Sequence, residues 1–199
     1  MTQATIGREA LFEQQVLAQL EDHFEIYVQQ PGVHPTGKRF RIDAIAVPRD
    51  AERWSRSDIA LGIEFKAPTD RPGCLRDRKD NAKIISQCID YSLTTWNDFG
   101  QIPIFFCPGF QETNSLRRSK DLLDLSAKNY NTGYRDGFGA LMAAIMGQNN
   151  VGELVHSDHL GWAFVINGHH RIWSQRLGAH AAGVGEGKHN KLIRCVGSR

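Results

Sequence analysis

No apolar run in this chain of 199 residues approaches the roughly 20 residues that span a bilayer. The opening Met1-Thr2-Gln3-Ala4-Thr5 starts no signal peptide, and the acids Glu9 and Glu13 interrupt the next stretch, so a cytoplasmic location is expected. Cysteine is sparse. Cys74, Cys88, Cys107 and Cys195 lie far apart, and the lack of any CxxC pair argues against a zinc ribbon. A disulfide framework is not expected in a cytoplasmic chain of this size, and the spacing does not suit a four-cysteine iron–sulfur cluster. Charge of one sign is also lacking. A net charge of +2 is too mild to declare a nucleic-acid binder. No internal repeat or linker divides the chain, which has the length for one sizeable core, so a single domain over residues 1–199 is expected.

What the chain does have is an alternating strand that ends in charge. In Ile59-Ala60-Leu61-Gly62-Ile63-Glu64-Phe65-Lys66, period two puts Ile59, Leu61, Ile63 and Phe65 on one face. Glu64 and Lys66 share the other, with the small Ala60 and Gly62 leaving room beside them. The preceding strand, residues 39–47, carries Asp43 in an otherwise apolar half and ends at Pro48. Two carboxylates and a lysine brought together can hold a divalent metal and orient a water.

Around these strands the periodicity predicts a helix over about 6–21, with Phe12, Val16 and Leu20 as its stripe and Leu11 and Leu17 widening it. A strand near 24–29 comes next, then a loop punctuated by Pro31-Gly32 and Pro35-Thr36-Gly37. Residues 49–58 read as a surface turn, and Thr69–Lys79 as a basic loop. A helix is expected from about Asp80 to Asp98, with Ile84, Ile85, Cys88, Ile89 and Leu93 inward and Gly100 as its stop. The apolar run 102–107 reads as a strand buried on both faces. Beyond it, 115–128 and 137–146 read as helices. Residues 162–166 and 171–173 flank Asn167-Gly168 as a hairpin.

Basic residues cluster in three places: Arg71, Arg76, Arg78, Lys79 and Lys83; Arg117, Arg118 and Lys120; and Lys188, Lys191, Arg194 and Arg199. Each alone reads as a solvated face; beside two carboxylates and a lysine of the kind that can hydrolyse a phosphodiester through a metal-bound water, the three together point to DNA or RNA. His156, His159, His169, His170 and His180 offer a second constellation. It is either a structural zinc site built on His156-x-x-His159 or a set of polar hairpin residues.

Asp in one strand, Glu-x-Lys ending the next, and Gln87-Cys88-Ile89-Asp90-Tyr91 on the following helix, in the order αβββαβ, resemble the PD-(D/E)XK nuclease superfamily. Within it they resemble the RecB-type, exonuclease-like branch that carries a QxxxY motif. The resemblance covers about residues 6–107. Ile42 stands where the family often has a proline before the first acid. The resemblance implies an α/β, restriction-endonuclease-like core. Its mixed central sheet is flanked by helices, and a C-terminal extension over 108–199 adds helices and the β-hairpin. It implies a Mg²⁺-dependent deoxyribonuclease, with Mn²⁺ as a substitute. Asp43, Glu64 and the Phe65 carbonyl would hold the metal, with Glu13 as an additional acidic ligand. Lys66, Gln87 and Tyr91 would complete the catalytic set, and Arg71, Arg76, Arg78 and Lys79 would grip DNA phosphates. Exonuclease or end-processing activity is implied first, and a restriction or junction-resolving endonuclease or a non-catalytic DNA-binding subunit second. The partners implied are DNA, a second copy of the chain, or replication and recombination proteins.

Plainer readings stand beside these. Asp43 with Lys66 reads equally as an ion pair at a sheet edge, and Gln87 with Tyr91 as a helix-surface pair. Glu13 reads as a solvated neighbour of Glu9, a like-charge i,i+4 pair that a cation would relieve.

Overall fold

The computed structural model describes residues 7–54, 58–66, 75–108, 145–157, 160–166 and 170–179. Helix α1 spans Arg8–Leu20 and α2 spans Leu75–Ser92. The strands are β1 (Phe24–Val33), β2 (Arg39–Pro48), β3 (Leu61–Phe65), β4 (Thr95–Trp96) and β5 (Ile104–Cys107), followed by β6 (Val151–Ser157), β7 (Gly161–Ile166), β8 (His170–Ser174) and β9 (Gly178–Ala179). They form one mixed sheet in the order β4-β1-β2-β3-β5-β6-β7-β8-β9. The fold is thus α/β. The central strands β3, β5 and β6 run parallel, and the flanking pairs are antiparallel. A parallel strand flanked on both sides must be apolar throughout, which is why Ile104–Cys107 is buried at every position.

The sheet is curled. Strands β1 and β8 stand far apart in the strand order, yet the Phe24 ring meets Trp173 at 4.7 Å and Phe164 at 5.6 Å. Helix α1 lies inside this curl. Its Phe12, Val16 and Leu20 recur every four residues and are fully buried against Leu61, Ile63 and Phe65 of β3 and the aromatics of β7 and β8. Polar contacts bind the same elements. The Trp162 indole N–H donates to Gln19 Oε1 at 3.1 Å, and Gln175 Nε2 donates to the Gln19 carbonyl at 3.2 Å. Helix α2 covers the opposite face. Its Ile85, Cys88 and Tyr91 are buried with Ile42, Ile45, Ile104 and Phe106.

Several boundaries differ from the sequence reading, each for a local reason. Pro31 and Gly32 lie within β1, not in a loop; β1 is nearly an edge strand, where a missing N–H is tolerated. Helix α2 starts at Leu75, so Arg76, Arg78 and Lys79 are on a helix and not in a loop. It ends at Ser92, not at Asp98. There the Ser92 and Thr94 hydroxyls donate to the carbonyls of Ile89 and Asp90, and Thr95–Trp96 turns to pair with β1. The turn after β2 is not wholly on the surface, since Trp54 is buried against Phe24. Strand β6 is absent from the sequence reading, because Asn149-Asn150 and Gly152 look like loop residues. The hairpin partners β7 and β8 do pair, while its turn residues lie outside the described ones. So do the helix expected over 115–128 and most of that over 137–146.

Gly152 is required by close approach. A Cβ there would meet the Phe105 ring at 2.4 Å and the Val165 carbonyl oxygen at 2.6 Å. Neither neighbour is a flexible chain end. Gly152→Ala is therefore expected to cost about 2–3 kcal/mol in denaturant unfolding, the upper part of the overpacking range. A change below about 0.5 kcal/mol would show that β6 can shift outward.

Candidate functional site

Strands β2 and β3 pair from Ala46 with Leu61 to Ala44 with Ile63, and then part. One residue further along this register, Asp43 would face Glu64. There a side chain replaces the backbone ladder. The Phe65 N–H donates to Asp43 Oδ2 at 2.8 Å, while the Lys66 N–H donates to the Cys107 carbonyl of β5 at 2.8 Å. The irregularity extends to β1. Gln29, the β1 residue opposite Asp43, has φ 53°, a left-handed backbone that non-glycine residues seldom adopt in a strand. Its amide reaches Asp43 Oδ1 at 3.5 Å. Nothing in the sequence pattern marks Gln29.

Glu64 turns inward at this split and is only 3% exposed. Its Oε1 accepts a 2.8 Å hydrogen bond from Gln87 Nε2. The same amide nitrogen donates to the Tyr91 hydroxyl at 2.8 Å, and that hydroxyl donates to the Arg41 carbonyl at 3.1 Å. Both N–H bonds of one amide are thereby used, and α2 is tied to β3 and β2 by a directed chain. Gln87 and Tyr91 meet because residues four apart on a helix share a face. Glu64 Oε2 is buried and accepts no hydrogen bond among the described residues. Burial pushes the Glu64 carboxyl up to about 9, and Asp43 adds to the rise both by its charge and by a side-chain hydrogen bond that the protonated Glu64 makes to it. Burial and the same two acids push the Tyr91 phenol up to about 12 and the Cys88 thiol well above its ordinary value.

Lys66 lies at the mouth of the split. Its Nζ is 3.3 Å from Glu9 Oε1, with both side chains roughly half exposed. Burial works to lower the ammonium's pKa, but Glu9, Glu64 and Asp43 outweigh it and raise it, so the lysine stays charged. Glu13 is half-buried on α1, and its carboxyl is raised by burial, by Asp43 and by Glu9. Glu9 belongs to this group through Lys66, whereas the sequence reading has it only as the like-charge neighbour of Glu13. Its signal is its spacing of four from Glu13.

Asp43, Glu64, Lys66, Gln87 and Tyr91 are thus in one place. Arg76, Arg78 and Lys79 are on the first turns of α2, and Arg71 lies outside the described residues. The space expected beside Glu64 from the small Ala60 and Gly62 is filled. A Cβ on Gly62 would meet Ile104 Cδ1 at 2.6 Å and Ile42 Cδ1 at 2.7 Å. Among the described residues no three His, Cys, Asp or Glu side chains gather around one point as metal ligands. Glu13, expected as an additional acidic ligand, lies close enough to Asp43 and Glu9 for both to raise its carboxyl. Cys88 and Cys107 are buried thiols; Cys74 and Cys195 lie outside the described residues. His156 is on β6, not in a turn, with its ring 5.2 Å from Trp162, and His159 lies outside the described residues.

The amide chain carries a prediction. Gln87→Ala removes the donor from a buried acceptor and is expected to cost about 1–3 kcal/mol of stability. Tyr91→Phe removes two neutral hydrogen bonds, the one accepted from Gln87 and the weaker one donated to the Arg41 carbonyl at 3.1 Å, but leaves Glu64 served by Gln87, so about 1 kcal/mol is expected. Equal losses in paired denaturant titrations would show that Gln87 acts only as a helix-surface residue.

No protein-family model, curated protein or solved structure matches the chain.

Proposed function

We propose that this protein is a metal-dependent nuclease of the PD-(D/E)XK type that hydrolyses DNA phosphodiester bonds, with exonuclease or end-processing action first. The observation that carries this reading is the buried Glu64 Oε2, without a donor, beside the Asp43 carboxylate where β2 leaves β3. A buried acceptor without a donor is costly, and two neighbouring carboxyls are relieved by a proton or a cation between them. Hard oxygen donors suit Mg²⁺ or Mn²⁺. Asp43, Glu64 and the Phe65 carbonyl would hold the ion, which when bound supplies charge neutralisation and a more acidic water.

The chain's own residues supply the rest. The Asp43 carboxylate is held by the Phe65 N–H. Gln87 fixes Glu64 from behind and is itself fixed by Tyr91. Lys66, charged at neutral pH, stabilises negative charge developing on a phosphate at the mouth of the split. Arg71, Arg76, Arg78 and Lys79, all close to the Lys66 strand in the chain, would bind backbone phosphates, giving affinity without sequence information.

Purified protein incubated with linear, covalently closed circular, single-stranded and branched DNA, in Mg²⁺ or EDTA, tests this. Cleavage of the linear substrate that EDTA abolishes is expected. Efficient cutting of the closed circle would move the reading to an endonuclease. Binding without cleavage in Mg²⁺ would move it to a non-catalytic subunit.

A further inference from the structure

A second concave site lies at the other end of the sheet. Its volume is about 390 Å³, within the usual range for small-molecule sites, and Arg49, Arg53 and Arg176 line it with His23, Trp54 and Trp173. Arg49 follows the end of β2, six residues from Asp43, or about 20 Å along a strand. This site is therefore separate from the acid pair.

Three elements bring the guanidinium groups together. The Arg49 N–H bonds to the His23 carbonyl at 3.0 Å, locking the end of β2 to the start of β1. Arg49 Nε donates to the Glu21 carbonyl at 2.8 Å, which orients the side chain and leaves both terminal nitrogens as donors. Arg53 comes from the turn after β2 and is oriented by a 2.8 Å ion pair with Asp50. Arg176 comes from the loop after β8, where its N–H bonds to the Leu160 carbonyl. The lining acids are Asp22 and Asp50, and Asp50 is already paired with Arg53. The lining rings of His23, Trp54 and Trp173 are backed by an edge-to-face aromatic cluster. His23 meets Trp173 edge-on at 5.2 Å, Trp173 meets Phe24 at 4.7 Å, and Phe24 meets Trp54 at 6.2 Å.

We propose that this cavity binds a small phosphate ester carrying a flat ring, of the class of a nucleoside monophosphate. The guanidinium forks take the phosphate, and the edges of Trp54 and Trp173 receive the ring. This inference does not depend on the nuclease reading, because it involves none of the acids at the β2–β3 split.

The test is calorimetric titration of the full chain with a deoxynucleoside monophosphate, its nucleoside and inorganic phosphate, at matched ionic strength and without divalent metal. The nucleotide is expected to bind with half-saturation below about 1 mM, more tightly than phosphate, and the nucleoside not measurably. Arg49→Gln and, as an exposed second variant that does not touch the β1–β2 lock, Arg53→Met are each expected to weaken binding by about tenfold, the worth of one charge-assisted hydrogen bond. Glu64→Gln is expected to leave it unchanged. No saturable heat, equal affinity for phosphate and nucleotide, or a loss in Glu64→Gln matching that in the arginine variants would each overturn the proposal.

Discussion

Glu64→Gln is expected to make the protein more stable at pH 8 in EDTA while abolishing cleavage. Burial, helped by Asp43, raises the Glu64 carboxyl from 4.5 to about 9. An acid whose pKa is higher folded than unfolded favours folding in its protonated form. That contribution is complete below the unfolded pKa and is lost as pH rises through the folded one. The window is therefore about pH 4.5 to 9, with stability falling as pH rises. The slope approaches one proton, about 1.4 kcal/mol per pH unit. At about 2–4 °C per kcal/mol for a chain of this size, moving from pH 8 to pH 6 should raise the wild-type thermal midpoint by about 5–10 °C.

Glutamine keeps the shape of the neutral acid. Its carbonyl can accept from Gln87 in place of Oε1, and its amide, in place of the donorless Oε2, can donate toward Asp43. The variant should then lack this pH dependence and exceed the wild type at pH 8. Mg²⁺ should restore part of the wild type's stability and none of the variant's, since metal binding displaces the shared proton. Identical midpoint-against-pH curves for the two proteins would mean that Glu64 is not held neutral, and the cation reading of the split would lose its support.

The parts of this site that alternate or repeat were legible in the sequence. Period two placed Ile59, Leu61, Ile63 and Phe65 on one face, and the structure buries all four against α1. A spacing of four placed Gln87 with Tyr91 on α2. What the sequence hid depends on contacts between distant segments. Gly62 looks like open space in a single strand, but Ile42 and Ile104 arrive from the neighbouring strands to fill it. Glu9 looks like a solvated helix residue, and only the curl of the sheet around α1 brings it to Lys66, 57 positions away. Gln29 gives no signal at all, because its left-handed backbone belongs to its place opposite Asp43 in the assembled sheet. The parting of β2 from β3 is likewise a property of the assembled sheet.

Lys66→Ala is expected to reduce cleavage by about 10²-fold or more, the scale for losing one aimed cationic or hydrogen-bond donor, with little change in stability. The lysine backbone is held by Cys107, and its side chain is 40% exposed, so truncation opens no core cavity. The ion pair with Glu9 is also partly exposed at 3.3 Å, and such pairs contribute about 0–1 kcal/mol. The competing reading is that Lys66 serves only to hold α1 against the end of β3. Glu9→Gln separates the two. It breaks the same ion pair but leaves the ammonium beside Asp43 and Glu64. If Lys66 acts on the phosphate, Glu9→Gln should keep turnover within a few-fold of wild type while Lys66→Ala loses it. If the ion pair is what matters, the two variants should lose activity and thermal stability together, and Lys66 would then leave the catalytic set.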